Sequence, residues 1–249
     1  MGYGTARRVT QSPAITVQGR HRVGHQTVFD GAALHMQAGR WTCLLGRSGV
    51  GKTTILRLIL GLDTAGQFEG EIVASDGQPI AGRASYMAQS DLLLPWLSLR
   101  ENVVLGARLR SETPDTDKAD AMIARVGLSA HRPKKPGALS GGMRQRAALA
   151  RCLMEDRPIV LLDEPFSALD AGTRADMQDL AAQVLKGKTV LLVTHDPSEA
   201  CRLGHQITLL TPTGTTSWPV PETTPVRPVD DPDTLHAQAA LLSHLRAAP

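Results

Sequence analysis

Along this chain of 249 residues the spacing of apolar positions changes character three times. Short apolar patches at 15–17, 28–29 and 34–36 are separated by Gly, His and Arg, which predicts a small antiparallel sheet. Residues 41–45 form a dense apolar run and 55–60 a second one at helical spacing, so a buried strand, a turn and a helix follow one another. A turn at 61–66, a strand at 71–74 closed by Asp76 and Gly77, and a strand at 84–87 complete a half that is mostly β. After a loop at 89–97 the pattern becomes helical. Ser98 and Glu101 have capping-box spacing, Val103, Val104, Ala107 and Leu109 form a stripe running through Arg110, and a further helix fits 117–126. Lys134–Lys135–Pro136–Gly137 interrupts the chain before an Ala-rich helix former at 147–153. Continuous apolar runs at 159–162 and 189–194 read as strands buried on both faces, as in a parallel sheet. Residues 212–232 are rich in Thr and Pro, and Asp233 is expected to cap a last helix with Leu235, Leu242 and Leu245 on its apolar side.

The turn between the 41–45 run and the first helix carries the chemistry. Gly46, Arg47, Ser48, Gly49, Val50, Gly51, Lys52 and Thr53 fit G-x-x-x-x-G-K-[ST], and Thr54 follows as a further candidate phosphate contact. A strand, a glycine turn and a helix N-terminus aim backbone N–H groups at one point, where an anion is stabilised. Lys52 can reach β- and γ-phosphates and the Thr53 hydroxyl can ligate Mg²⁺, so the stretch predicts binding of a nucleoside triphosphate. Asp163 ends the 159–162 strand as a candidate Mg²⁺ carboxylate, and Glu164 beside it is suited to polarise a water against the γ-phosphate. Ser140, Gly141 and Gly142 open another helix with a hydroxyl and bare N–H groups, a second anion receptor. In open α/β sheets ligands sit at strand C-termini, so the loops after Leu45, Leu162 and Thr194 are expected to converge.

Composition narrows the class. The length suits one large α/β unit or two lobes with a shared core. No apolar run of about 18 residues and no charged-apolar-small leader is present, so neither a membrane span nor a secretory signal is expected, and the chain reads as soluble. Cys43, Cys152 and Cys201 are far apart and read as core thiols. A net charge of +3 with few aromatics argues against a nucleic-acid groove.

The motifs, in order, resemble the ATP-binding subunit of an ABC transporter from about residue 15 to about 210. The P-loop is residues 46–53, Gln89 matches the glutamine loop, residues 139–146 (LSGGMRQR) the signature sequence, 159–164 Walker B, 167–170 the D-loop, and His195 the switch histidine. The resemblance implies a P-loop NTPase, RecA-like α/β core with a small antiparallel β subdomain and an inserted α-helical subdomain at about 90–150. The implied division is a leader at 1–14, the ATPase domain at 15–211, and a Pro-rich tail with a C-terminal helix at 212–249. ATP with Mg²⁺ would be sandwiched in a head-to-tail dimer between the P-loop of one subunit and Ser140, Gly141 and Gly142 of the other. Thr53, Gln89 and Asp163 would attend the metal, Glu164 and His195 would be catalytic, and Asp170 would organise the interface or cap the following helix. Pro95 and Trp96 resemble the importers for nitrate, sulfonates, taurine and pyrimidine precursors, and would meet the coupling helix of a transmembrane permease. Implied partners are a second such subunit, identical or similar, that permease and, indirectly, a solute-binding protein, on the cytoplasmic face of the membrane. The family usually stacks an upstream aromatic on adenine; the register counted from Gly39 puts Val23 there, with His21, Arg22 and His25 as other covers. A soluble ABC-type ATPase not coupled to transport is the alternative, and a P-loop kinase is disfavoured by Ser140–Gly141–Gly142.

Overall fold

The computed structural model describes residues 12–247, so most of the expected leader, 1–11, lies outside the described residues. Its end is anchored: the Ser12 hydroxyl donates to the Gly187 carbonyl at 2.8 Å, and Thr189 Oγ1 donates to the Pro13 carbonyl at 2.7 Å.

The antiparallel sheet is present, with strands longer than the apolar patches. It consists of β1 (Ile15–Val23), β2 (Gln26–Met36) and β4 (Gln67–Ala74) in the order β2-β1-β4. Only one face is buried, and on β1 the inward positions after Ile15 and Val17 include His21, so the alternation fades in the sequence. The main sheet has six strands in the order β5-β6-β7-β3-β8-β9. Here β3 (Trp41–Leu45), β5 (Ala84–Met87), β6 (Ile159–Asp163), β7 (Thr189–Val193) and β8 (Gln206–Thr211) pair in parallel, and β9 (Gly214–Trp218) is antiparallel to β8. Every residue of β3, β6 and β7 is buried, as their continuous apolar runs require. The stretch past 212, expected to be a tail, therefore begins with a strand of the main sheet.

One core fills the space between the antiparallel sheet, α1 (Lys52–Ile59) and one face of the main sheet. A larger core joins the other face to the helices. The predicted capping box is formed: Ser98 and Glu101 satisfy each other's backbone N–H groups at the start of α2 (Leu99–Val103). The expected continuous stripe through Arg110 is not formed. The helix breaks at Val104, and α3 (Leu105–Leu109) buries no residue, with Leu109 77% exposed. Val103 and Val104 are the last side chains to reach the core, and Arg110 holds α3 instead by pairing with Glu112 and Glu155. The next helix, α4 (Thr116–Arg125), starts one residue earlier than expected because Asp115 caps it. α5 (Gly141–Met154), α6 (Ala171–Val184) and α7 (Pro197–Leu203) flank the main sheet.

α8 (Pro232–Ala247) is present, but its details differ from expectation. Asp231, not Asp233, caps it, accepting from the Thr234 backbone N–H and hydroxyl. Leu241 is the leucine that is fully buried, whereas Leu235 and Leu242 are nearly half exposed. Arg227 pins the preceding segment: its guanidinium, 2% exposed, donates to the carbonyls of Thr223, Cys201, Gly204 and Pro221. The three cysteines are free and buried, as core thiols should be. Among the described residues no helix is long and apolar enough to cross a membrane.

Candidate active site

The loops after β3, β5, β6 and β7 meet at the C-terminal edge of the main sheet around a cavity of about 490 Å³. It is lined by Ser48, Gly49, Gly51, Lys52, Thr53, Thr54, Gln89, Asp163, Glu164 and His195. Ten residues from four separate stretches are thus brought together; the loops after Leu45, Leu162 and Thr194 converge as their places at strand C-termini suggested, and Gln89 after β5 joins them.

Two glycines of the P-loop are required by their surroundings. A Cβ at Gly46 would lie 2.5 Å from the Leu210 carbonyl oxygen, and one at Gly51 would lie 2.8 Å from a Val28 methyl, with Gly51 at φ +105°. Gly51 is the residue from which α1 starts. Arg47 and Val50 complete the turn, where Val50 N–H donates to the Arg47 carbonyl. Lys52, only 8% exposed, folds back so that its ammonium donates to the Gly46 and Arg47 carbonyls at 2.8 and 2.9 Å. Burial lowers its pKa, opposed by the charges of Glu164 and Asp163.

Thr53 Oγ1 donates to Asp163 Oδ2 at 2.9 Å. Burial raises the Asp163 carboxyl; the Thr53 hydrogen bond opposes this, the Glu164 charge adds to it, and Lys52 opposes it. One hydroxyl and one buried carboxylate form a hard-oxygen donor pair that fits Mg²⁺, an ion which keeps several waters and takes its other ligands from phosphates. The described residues contain no group of three or more His, Cys, Asp or Glu that would hold a metal without such help.

Glu164 is held through both its carboxylate and its backbone. Gln89 Nε2 donates to one carboxylate oxygen and His195 Nδ1 approaches the other, both at 3.1 Å. Its backbone N–H donates to the Val193 carbonyl at 2.9 Å, and its backbone carbonyl accepts from Gln145 Nε2 at 3.0 Å. The residue sits at φ +49°, a left-handed conformation that costs a non-glycine residue about 1–2 kcal/mol. His195 itself is 64% exposed in its side chain, on the open side of the cavity.

Ser140, Gly141 and Gly142 do not line this cavity. Ser140 caps α5 by accepting from the Met143 N–H at 3.3 Å, and the two glycines form the first turn. Asp170 caps α6, accepting from the Thr173 N–H at 3.0 Å, which holds its pKa below the usual value. Pro95 and Trp96 ride on an exposed loop, Trp96 at 65%. Asn102, fully buried, shapes that loop by accepting from Leu94 N–H and donating to the Leu94, Leu97 and Ser98 carbonyls. Val23 ends β1 outside the cavity and is 40% exposed. His21 is buried against Phe29 and cannot cover a base, which leaves Arg22 and His25 as alternatives.

The sequence placed Gln145 only within the 139–146 signature and Asn102 only within the 95–103 stretch, with no role of its own for either side chain. For Gln145 the signal was an amide on the same helical stripe as the apolar positions Ala148, Leu149 and Cys152, all buried.

Comparison with known proteins gives the family. The family model described as "ABC transporter" matches residues 29–167. An uncharacterized ABC transporter ATP-binding protein of Haemophilus influenzae is 47% identical over 187 residues, 74% of this chain and 76% of that one. An aliphatic sulfonates import ATP-binding protein, SsuB 2 of Agrobacterium fabrum, is 44% identical over 74% of this chain and 70% of its own length. SsuB 1 of Rhodococcus jostii is 44% identical over 79% and 78%. Among solved structures, the dimeric post-hydrolysis state of the ATP-binding cassette MJ0796, bound to ADP and Pi, superposes with a TM-score of 0.71 at 27% identity, covering 86% of this chain and 99% of that one. With its P-loop cavity, its Walker B carboxylates and these relatives, the chain belongs to the ABC transporter family as one of its ATP-binding, ATP-hydrolysing subunits.

Proposed function

We propose that this subunit powers import of a small organic or anionic solute through a separate transmembrane permease, working at the cytoplasmic face of the membrane in a dimer with an identical or similar subunit. The observation that carries the reading is the cavity holding Lys52, Thr53, Gln89, Asp163, Glu164 and His195 together while Ser140–Gly142, a second anion receptor, stays outside it. One γ-phosphate in one chain has no use for two such receptors, so the second serves the neighbour's nucleotide.

In this reading the P-loop N–H groups and Lys52 hold the β- and γ-phosphates. Thr53 and Asp163 would hold Mg²⁺, which when bound would supply positive charge to the phosphates. Glu164 accepts a proton from the water that attacks the γ-phosphorus, as the bond to the ADP oxygen breaks. His195 and Gln89 keep its two oxygens apart and aimed. Asp170 and the exposed P-loop rim would meet the partner subunit, and the Pro95–Trp96 loop the permease. Arg144 and Arg151 tie the Asp91–Leu92 backbone and the Asp91 carboxylate to α5, so a push on that loop is felt by the helix bearing Ser140. The relatives named as aliphatic sulfonate import proteins support import, and a solute-binding protein would deliver the cargo to the permease.

The test is co-purification from detergent-solubilised membranes of the native host. A permease of several membrane spans should accompany the tagged subunit at stoichiometric yield. Recovery of the subunit with ribosomes or DNA and without a permease would overturn the transport reading while leaving the ATPase intact.

A further inference from the structure

We propose that Gln145 is a positioning residue for hydrolysis, a tether that fixes the backbone of Glu164 from the same helix that carries Ser140–Gly142. The proposal rests on the assignment of Glu164 as the base given above.

Gln145 is 5% exposed and its amide is fully engaged. Nε2 donates to the Glu164 carbonyl at 3.0 Å and to Ser167 Oγ at 3.2 Å, and Oε1 accepts from the Ala168 N–H at 2.7 Å. Ser167 Oγ in turn donates to the Glu164 carbonyl at 3.1 Å. The Glu164 carbonyl therefore receives two side-chain hydrogen bonds, while its N–H is held by Val193. Such pinning matters here because Glu164 is in the left-handed region, a conformation that persists only where its surroundings impose it. Without the tether the peptide unit is free to relax, and the carboxylate would leave the point at which His195 and Gln89 hold it. A displacement of about 1 Å in a catalytic group can cost a hundredfold in rate.

The location adds a second consequence. Gln145 lies one turn into α5, which Ser140 caps and Gly141 and Gly142 open, and a Cβ at Gly142 would lie 3.3 Å from the Ala168 carbonyl oxygen. The turn that faces the partner's nucleotide and the tether of this chain's own base are thus parts of one rigid helix. Gln145 also fixes residues 167–168, the segment leading to Asp170.

The test uses the intact dimer with two substitutions. Gln145→Met removes all three hydrogen bonds at nearly constant volume. Gln145→Glu keeps an acceptor for Ala168 N–H and removes the donors to Glu164 and Ser167. Both should lower kcat at least tenfold, with KM for ATP and the affinity for ATP unchanged within about threefold. Because the effect passes through Glu164, adding either substitution to Glu164→Gln should cost nothing further, whereas a general loss of structure would cost the same factor in both backgrounds. Melting temperatures identify which variants are folded; should Gln145→Met fail to fold, Gln145→Glu carries the comparison. A folded variant with kcat within threefold of wild type, or a loss that multiplies with that of Glu164→Gln, would overturn the proposal. Failure of the underlying reading looks different: Glu164→Gln alone would then hydrolyse ATP at the wild-type rate.

Discussion

Glu164 and Asp163 are adjacent carboxylates at one strand end, and their surroundings divide the work between them. Asp163 is buried and bound to the Thr53 hydroxyl, which suits a metal ligand, while Glu164 turns through a left-handed residue so that its carboxylate meets His195 and Gln89. Glu164→Gln preserves shape and removes the proposed base. Hydrolysis should fall about a hundredfold or more, within the range of general-base contributions, while ATP binding persists. A stable dimer should then appear by size-exclusion chromatography with ATP and Mg²⁺; turnover at the wild-type rate would contradict the assignment. Val23 makes a different kind of prediction. The register counted back from Gly39 would put it at the family's aromatic position, and it is a half-exposed aliphatic beside the Gly24 turn. Base–aromatic stacking is worth about 1–3 kcal/mol, roughly a factor of 5 to 150 in affinity, whereas phosphate contacts are blind to the base. KM for GTP should therefore lie within about tenfold of KM for ATP, and Val23→Tyr should lower KM for ATP within the same stacking range. A stronger preference for ATP in wild type, with no gain from tyrosine, would show that Arg22 or His25 already stacks on the base.

Elements differ in how plainly the sequence shows them, and the difference follows from which faces they bury. The strands β3, β6 and β7 are buried on both sides, so each is a continuous apolar run with a chemical residue at its end, and the site they present was legible before any coordinates. β9 is hidden because Thr215, Thr216 and Ser217 carry no apolar signal and only Trp218 packs inward; Thr215 instead bonds to the backbone of Ala33 in β2. In α8 the inner stripe is Thr234, Ala237, Leu241 and Leu245, so a threonine and an alanine mask it while Leu235 and Leu242 attract the eye. The tether through Gln145 was not legible, since partners separated by 19 to 23 residues meet only in the fold. α7 holds another feature of that kind. Glu199, 3% exposed, accepts from the Thr194 hydroxyl at 2.7 Å, and Thr194 also receives the Asp196 N–H next to His195. Burial pushes the Glu199 carboxyl up to about 7 from 4.5; the Thr194 hydrogen bond opposes the rise, Asp196 adds to it, and Arg174 and His195 oppose it. Folded Glu199 therefore holds its proton between those values where the unfolded chain does not, so its contribution to stability falls as pH rises from 4.5 to 7, with the penalty complete above. At about 1.4 kcal/mol per pH unit the loss is on the order of 3 kcal/mol. Glu199→Gln keeps the acceptor for Thr194 and cannot ionise, so urea denaturation should find it more stable than wild type at pH 8 and nearly equal at about pH 4.5, below which the difference vanishes. An advantage of the same size at both would rule out ionisation of Glu199 as the cause.

At the scale of the whole molecule the question is where the two anion receptors act. The P-loop cavity gathers Lys52, Thr53, Gln89, Asp163, Glu164 and His195, and Ser140–Gly142 open α5 outside it with a hydroxyl and two glycine N–H groups. The proposed head-to-tail dimer would place each receptor over the other chain's nucleotide and give two composite sites, each built from Lys52 of one subunit and Ser140 of its partner. The related cassette that superposes on this chain is a dimer with ADP and Pi. Mixing chains with single defects separates the possibilities. Lys52→Ala removes the phosphate-binding cation, and Ser140→Arg fills the second receptor with a bulky side chain. A homodimer of either variant has both sites damaged and should be nearly inactive. In a mixed dimer one site combines both defects, but the other combines the intact Lys52 of the Ser140→Arg chain with the intact Ser140 of the Lys52→Ala chain. Random re-pairing of equal amounts makes half the dimers mixed, so a quarter of all sites are whole, and mixing two inactive proteins should restore activity up to about a quarter of wild type if sites act independently, and less if hydrolysis requires both. Nucleotide trapping should then count one occupied site per mixed dimer. If Lys52 and Ser140 served a nucleotide within the same chain, every chain in the mixture would carry a defect, and no re-pairing would restore either hydrolysis or trapping.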